Sequence, residues 1–520
     1  MNPPARETDI LLTYPRDGLR LFQSMIPIGL VSIGTVLKKA GYHVTIIDFN
    51  HYSGDFRRHL KLLRPKIIAI GGTTPSRRGS FLTARIAKET VPDATVIYGG
   101  VNATFTAAEV LGGVPAIDYI LKGEAELSML SLCGRLFGGK RSGLDEIPGL
   151  CRRSATGVVE NRPRRIDDLS VLPIPDRDLL GDFYRLEMEF IGGEADFIMT
   201  SRGCPAACNF CSASRMFPGG VRLRPMDPVM TEIEGLCSRR NLAGLKLFDS
   251  TFTACRDHVE RFCSEVKRFN LKWECEVRAD TVDAPLLRLM KESGCYYINV
   301  GMETTCARHL RQIAKGITPG QVLDTLAVCG KLGIRSKVFF TFGHSGQTFR
   351  ECLDDIRFIE DHRDRIDFFA VTVGMRIYPG TRLEKDSREK GLLDRHFSWM
   401  RTAKKPVNLL LFEPGDVPLL FQKQLGPFRL LAVLLILLSR RLICTERFLL
   451  KMVVENLFGI VWSLRLQFIY TRHRFERLRS GDIQNQLSAV GREEYAQEAV
   501  TDCVIKSAGV PGKDSLPYHP

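Results

Sequence analysis

This sequence is short of the two features that place a chain in or across a membrane. Its longest uninterrupted apolar stretch, residues 430–438, falls well below the ~20 residues a helix needs to span a bilayer. Its opening residues, M-N-P-P-A-R-E-T-D, have neither a basic start nor the apolar core of a secretory leader. The expected location is the cytoplasm, where thiols stay reduced. The fifteen cysteines are therefore expected as metal ligands or free thiols rather than disulfides. Compositional bias is also scarce: 44% hydrophobic and 25% charged residues exclude a disordered or fibrous chain. The length of 520 residues suggests about three domains.

Residues 1–140 alternate short apolar runs with helical patterns. The runs at 9–14, 43–49, 67–71, 95–100 and 119–121 lack strict alternation, as in a parallel sheet covered on both faces. A doubly wound, Rossmann-like α/β domain is expected, and such sheets bind ligands at the carboxyl ends of their strands. The loops at those ends carry Thr73 and Thr74, then Gly99 and Gly100, then Gly123 and Glu124. One glycine pair is ordinarily a tight turn; three such loops at equivalent ends of one sheet point to a binding site. Residues 141–194, rich in Arg, Asp and Pro, are expected as a connector. Over 195–395 the rhythm lengthens, with candidate strands at 196–201, 245–249, 273–278, 297–303, 337–342 and 368–375. Six such units, separated by helix-length segments, predict a (β/α)6 partial barrel with its site on the loops after the strands.

Directly after the first of these strands stands S-R-G-C-P-A-A-C-N-F-C, which sets Cys204, Cys208 and Cys211 at a C-x3-C-x2-C spacing. Three soft thiolates on one short loop can converge on an iron–sulfur cube and leave one iron open to a small molecule. A closed zinc site needs a fourth ligand, and no Cys or His follows at finger-like spacing.

With Phe210 before the last cysteine, the loop resembles the signature of the radical S-adenosylmethionine (SAM) superfamily. The likeness continues through Phe248-Asp249-Ser250-Thr251-Phe252, Arg278, Gly301-Met302-Glu303-Thr304 and Ile377-Tyr378-Pro379-Gly380-Thr381. With the α/β domain in front, residues 1–395 resemble the cobalamin-dependent, class B branch. The resemblance implies that the three cysteines hold a [4Fe–4S] cluster whose open iron is chelated by SAM. An external electron donor would reduce the cluster, and cleavage of SAM would give a 5′-deoxyadenosyl radical. It further implies that Glu303 binds the ribose hydroxyls through charge-assisted hydrogen bonds. Arg278 would neutralise the SAM carboxylate, and Asp249, Ser250 and Thr251 would receive its ammonium. Cobalamin would lie on Thr73, Thr74, Gly99, Gly100, Gly123 and Glu124.

The cobalt-ligating motif D-x-H-x-x-G of the adenosylcobalamin mutases and methionine synthase is missing: the loop after the first strand, Y-P-R-D-G-L-R-L-F, contains no histidine. His51 and Gly54 have the H-x-x-G spacing but follow the second strand, with Phe49 in the Asp position. Class B enzymes commonly lack the motif, so cobalamin remains the expected cofactor.

Residues 396–480 form an expected basic, apolar helical region, and 481–520 a tail. Between 421 and 480 eleven Lys/Arg stand against three Glu, a large part of the net charge of +14. Arg447, Lys451, Glu455, Gly459, Ser463 and Gln467 recur every fourth residue, a narrow polar stripe on an otherwise apolar helix. Such helices lie on anionic membrane surfaces, here the inner face, or pack on the barrel and close the substrate pocket. Nucleic acid is not expected, because the basic residues alternate with Leu, Ile and Val instead of stacking aromatics.

The resemblance implies a methyltransferase that moves a methyl group from SAM through methylcobalamin to an unactivated carbon, and the basic, apolar C-terminal region points to a hydrophobic, lipid-like substrate. The resemblance extends to the hopanoid methylases, the C-3 enzyme in particular. The alternatives are a radical SAM cyclase or other carbon-skeleton enzyme, and a non-catalytic cobalamin- or cluster-binding sensor. A methylthiotransferase is disfavoured, since the N-terminal domain has no second group of three cysteines, only Cys133.

Overall fold

A computed structural model describes residues 8–15, 26–49, 55–139, 142–183, 186–188, 193–393, 396–400, 419–420 and 426–439. The chain divides into a unit of residues 1–449 and one of 450–520, and every described residue lies in the first. The stretch bearing the polar stripe, the tail, the histidine-free loop beyond Pro15 and the pair His51 and Gly54 lie outside the described residues.

The N-terminal part runs β1 (Ile10–Tyr14), α1 (Ile28–Lys39), β2 (Val44–Asp48), α2 (Phe56–Leu63), β3 (Ile67–Gly71), α3 (Arg77–Thr90), β4 (Thr95–Gly99), α4 (Val101–Gly113), β5 (Tyr119–Leu121) and α5 (Glu126–Phe137). The strands are ordered β2-β1-β3-β4-β5 and are all parallel. Alternate residues of one strand enter opposite cores: Ile10 and Leu12 pack with Ile67 and Ile97, while Leu11 packs with Ile68, Ile70 and Val96. Both faces being apolar, the strands read as continuous hydrophobic runs.

The connector holds more order than its composition suggests. Its β6 (Leu150–Ser154) and β7 (Gly157–Glu160) form a hairpin that joins the sheet antiparallel to β5. Arg153 fixes the hairpin to the fold by donating to the carbonyls of Leu111, Val114 and Ile117, around the end of α4. The side chain thus satisfies carbonyls that a helix C-terminus leaves without partners. Next, β8 (Leu186–Met188) pairs antiparallel with β9 (Gly193–Ile198).

The second sheet carries β9, β12 (Gly244–Leu247), β13 (Lys272–Val277), β14 (Cys295–Glu303), β15 (Arg335–Phe342) and β16 (Phe368–Val373), parallel and in that spatial order. A small ribbon of β10 (Ser201–Arg202) and β11 (Arg222–Leu223) flanks the cysteine loop, followed by α6 (Ala213–Met216) inside it. The covering helices are α7 (Met226–Arg239), α8 (Arg256–Val266), α9 (Ala284–Glu292), α10 (Ala307–Gln312), α11 (Pro319–Leu332) and α12 (Phe349–Asp361). Both α11 and α12 open with reciprocal caps, Thr318 with Gln321 and Thr348 with Glu351, which satisfy backbone N–H groups free at a helix start. Toward the helices the strands present Leu245, Leu247, Trp273, Cys275, Val277, Ile298 and Val300. The opposite face presents Lys246, Glu274, Glu276, Asn299 and Lys337.

After the barrel, α13 (Arg382–Glu389) leads to Trp399, whose indole donates to Glu384 and whose carbonyl accepts from the buried Arg77 of the first sheet domain. The helix α14 (Gly426–Ser439) places Val433 and Leu437 in the barrel's outer core and leaves Phe428 84% and Leu435 55% exposed. No helix among the described residues is long and apolar enough to cross a membrane.

Candidate functional site

The cysteine loop is fastened from several sides. Gly203, at φ +100°, precedes Cys204, and a Cβ there would strike the carbonyl of Gly220. Between the second and third cysteines, Asn209 donates from its backbone to Ile313 O at 2.9 Å and from its side chain to Gln312 O at 3.2 Å. Its own carbonyl accepts from Leu383 N. Cys204 Sγ lies 3.3 Å from Thr251 Oγ1, and Cys211 Sγ accepts from Ala213 N at 3.4 Å. All three thiols are half-buried. Burial pushes the Cys208 and Cys211 thiols up, and the nearby Lys315 cation opposes it at both. Three thiols held on one partly open loop, with no fourth on that loop, are the donor set of a cube with one free iron.

Around this loop the structure gathers the residues expected to hold SAM. Glu303 ends β14 at φ +70°, and its carboxylate accepts from Lys315 Nζ at 2.9 Å and from Thr341 Oγ1 at 3.1 Å. Arg278 follows β13, pairs with Asp280 at 2.8 Å and donates to the carbonyl of Lys315. Lys315 therefore bridges Glu303 and Arg278 through its two ends. It escaped the sequence reading; its only signal is a basic residue ahead of Gly316 in a turn, Ala314 and Gly316 both having positive φ. Gly301 lets the Lys315 ammonium in, since a Cβ there would meet Nζ.

Asp249 is placed differently from Ser250 and Thr251. It is fully buried and accepts from Thr200 N and Oγ1 and from Ser201 N and Oγ, so it ties the end of β9 to that of β12. Burial pushes its carboxyl up to about 6 despite these four donors. Ser250 is exposed beside it, and Thr251 reaches Cys204.

At the first sheet, Gly100 has φ +95° and a Cβ on it would strike Gly72 O, whereas a Cβ on Gly99 would meet nothing nearer than 3.7 Å. The end of β4 is thus bare backbone, and a side chain at Gly99 would fill the space that a flat ring could take. Thr73 Oγ1 accepts from Tyr14 OH, and the carbonyl of the buried Thr74 accepts from Arg77. Gly123 N donates to Thr104 Oγ1. Glu124 spends both oxygens inside the protein, on Arg202 at 2.8 Å and on Arg222 at 2.7 Å. Arg202 also takes Glu126 at 2.5 Å, two residues before Cys204. The carboxyl edge of the first sheet and the cysteine loop are therefore clasped together by buried ion pairs, which sequence distance hides (Glu124 and Arg202 lie 78 residues apart).

A second set of potential ligands, Cys306, His309 and Glu351, has its atoms within 4.8 Å of one another. Arg308 Nη2 stands 2.8 Å from Glu351 and 3.1 Å from His309 Nε2. The guanidinium takes the place a metal would need.

Residues 19–132 match the B12 binding domain family, and residues 198–359 match the radical SAM superfamily. The chain belongs to the cobalamin-dependent radical SAM methyltransferase family, and its cofactors are a [4Fe–4S] cluster, SAM and cobalamin. It is 31% identical over 365 residues to an uncharacterized methyltransferase of Pyrococcus horikoshii, covering 69% of this chain and 77% of that protein. It is 27% identical to the anaerobic magnesium-protoporphyrin IX monomethyl ester cyclase of Synechocystis, over 61% of this chain and 62% of the cyclase. The hopanoid C-3 methylase of Methylococcus capsulatus is 26% identical, over 61% of this chain and 60% of that one. The chain thus spans about three fifths of the length of these last two relatives. The fold is that of the tryptophan-bound methyltransferase TsrM of Kitasatospora setae, with a TM-score of 0.67 at 19% identity, covering 82% of this chain and 89% of that one.

Proposed function

We propose that this enzyme transfers a methyl group from SAM, by way of cobalamin, to an unactivated carbon of a hydrophobic, lipid-like substrate such as a hopanoid. The observation that carries it is the buried clasp of Glu124 and Glu126 on Arg202, which fastens the carboxyl edge of the first sheet, just after β5, to the cysteine loop. A radical made at one site would then meet a methyl donor at the other within one water-poor space. The lipid part rests on the hopanoid methylase relative and on the apolar, basic composition of 421–480.

When bound, the cluster and SAM supply a carbon-centred radical and cobalamin supplies the methyl group. The chain's own residues hold and orient. Cys204, Cys208 and Cys211 bind the cluster. Glu303, paired with Lys315 at 2.9 Å, accepts the ribose hydroxyls; Arg278 and Lys315 face the SAM carboxylate, and Ser250 and Thr251 its ammonium. Asp249 shapes that edge by fixing the end of β9. Thr73, Thr74, Gly99, Gly100 and Gly123 line the cobalamin cradle, and Glu124 acts as its fastening. The region 421–480 makes peripheral contact with the inner membrane face, and an external donor supplies the electron.

The test is mass spectrometry of lipid extracts from cells fed methyl-deuterated methionine and expressing this protein or its Cys204→Ala variant. A deuterated methyl group seen only with the intact loop supports the reading; identical lipids overturn its lipid part. The cyclase relative favours one second reading, a carbon-skeleton reaction. It expects 5′-deoxyadenosine without any transferred label.

A further inference from the structure

The barrel's inner face carries polar groups that neither the cluster nor SAM accounts for. In register across three adjacent strands, Glu276 of β13 faces Asn299 of β14, which faces Lys337 of β15. One level below, Lys246 and Glu274 neutralise each other at 2.8 Å. One level above, the same face of β14 leads through Gly301 to Glu303 at the mouth. The row thus lies inside the barrel directly beneath the expected SAM site.

Two of its groups lack a complement. Asn299 is 3% exposed and its Nδ2 has no hydrogen-bond partner among the described residues. A buried amide N–H left so costs about 1–3 kcal/mol, which selection tolerates where a ligand supplies the acceptor. Among the described residues half-buried Glu276 forms no ion pair; burial, and Glu274 near it, push its carboxyl up to about 7 against the pull of Lys246, Lys337 and Lys315. A carboxyl in that state is protonated and ionised in comparable amounts near neutral pH, so a partner that can both donate and accept suits it.

We propose that Glu276 and Asn299 form the polar end of the substrate pocket, and that the substrate carries a hydroxyl or carboxamide close to the carbon that reacts. Either group can donate to Glu276 as carboxylate, accept from it as carboxylic acid, and accept from Asn299 Nδ2. An ammonium cannot accept from Asn299, and a ketone pairs with Glu276 only while that carboxyl holds its proton, so neither complements the pair in both states. A bare hydrocarbon ring in this position leaves both protein groups unpaired and desolvated, which is a strong means of rejection. The inference rests on the methyl-transfer reading and narrows its substrate to a lipid-like body with a polar group near the methylated position, which disfavours the bare hydrocarbon rings of a hopanoid as the reacting part.

The test extends the deuterated-methionine culture to organic and aqueous extracts of cells expressing the wild type, Cys204→Ala, Asn299→Leu and Asn299→Asp. The labelled product that depends on Cys204 is isolated and its structure determined. A hydroxyl or carboxamide within a few bonds of the new methyl group is expected. Both Asn299 variants, neither of which offers an N–H there, are expected to lose that product ~10-fold or more. Iron and cobalamin content equal to the wild type shows that the fold stands, and the near-isosteric Asp decides if Leu does not fold. Label on a hydrocarbon without such a group, or full label from the folded Asn299 variant, overturns the pocket while leaving methyl transfer intact. No label in any extract overturns methyl transfer and the pocket with it.

Discussion

The molecule contains two parallel sheets built on opposite principles. In the first, both faces are apolar: Leu11, Ile68 and Ile70 go to one core, Ile10, Leu12 and Ile67 to the other. Nothing can bind within such a sheet, so its site is confined to the carboxyl edge, where Gly99 leaves backbone bare. In the second, Trp273, Cys275 and Val277 face helices while Lys246, Glu274, Glu276 and Asn299 face inward. A polar inner face admits chemistry inside the barrel as well as at its mouth. The same parallel connectivity thus yields a platform in one case and a chamber in the other, and side-chain alternation alone makes the difference.

The largest effect should come from the seam between them. Replacing Cys204, Cys208 or Cys211 by Ala is expected to abolish cluster assembly and 5′-deoxyadenosine formation while cobalamin retention is unchanged. Iron analysis and absorbance of the reconstituted protein check both. Arg202→Leu strands the buried Glu126 carboxylate and leaves Glu124 to Arg222 alone, and should cost about 3–5 kcal/mol in urea unfolding of the apo-protein. Although burial pushes the Glu126 carboxyl up, Arg202 holds it below its ordinary value. The clasp therefore stabilises at neutral pH and weakens as acid protonates Glu126, so the variant and wild type should converge there.

Within the sheets the two principles predict opposite outcomes for removing a buried group. Ile70→Ala in the first sheet leaves a cavity and should cost about 2–5 kcal/mol. Glu276→Gln in the second should be near neutral at pH 5, raise stability at pH 8 and remove a pH slope. With a folded value of about 7, well above the ordinary carboxylate range, the folded wild type holds a proton that the unfolded chain releases. Its stability should then fall as pH rises from the ordinary carboxylate range to about 7 and level off above. Denaturant midpoints at pH 5 and 8 measure this; equal slopes in variant and wild type would show that Glu276 is not the group responsible.

Much of this was legible in the sequence, for physical reasons. Buried parallel strands are continuous apolar runs, and those at 67–71 and 119–121 coincide with Ile67–Gly71 and Tyr119–Leu121. The cysteine spacing is local and needs no tertiary information. The hairpin β6–β7 was not legible, because strands at the solvated end of the sheet read as Arg152, Arg153 and Glu160 rather than as runs of Val and Ile. Nor were long-range ion pairs. Glu124 looks in sequence like a ligand on a glycine loop, and only the fold brings Arg202 and Arg222 onto it. Asp249 shows the same limit, its neighbours across the strand ends being Thr200 and Ser201. The alternation in K-W-E-C-E-V-R was visible throughout, and it marks the chamber that the apolar runs of the first sheet lack.

The smallest effect concerns α14, which has one face of each kind. Val433 and Leu437 join the barrel's outer core, so Leu437→Ala should behave like Ile70→Ala and cost about 2–5 kcal/mol. Phe428 and Leu435 lie exposed, with Arg429 exposed beside them, and Phe428→Ser should change stability by no more than ~0.5 kcal/mol. If that exposed face meets acyl chains, Phe428→Ser should lower co-sedimentation with anionic phosphatidylserine vesicles by several-fold while thermal unfolding stays put, since burying such a side chain in lipid is worth ~1.5–3 kcal/mol. Unchanged vesicle binding would confine the role of α14 to covering the barrel, and the substrate's apolar body would then have to be recognised inside the chamber alone.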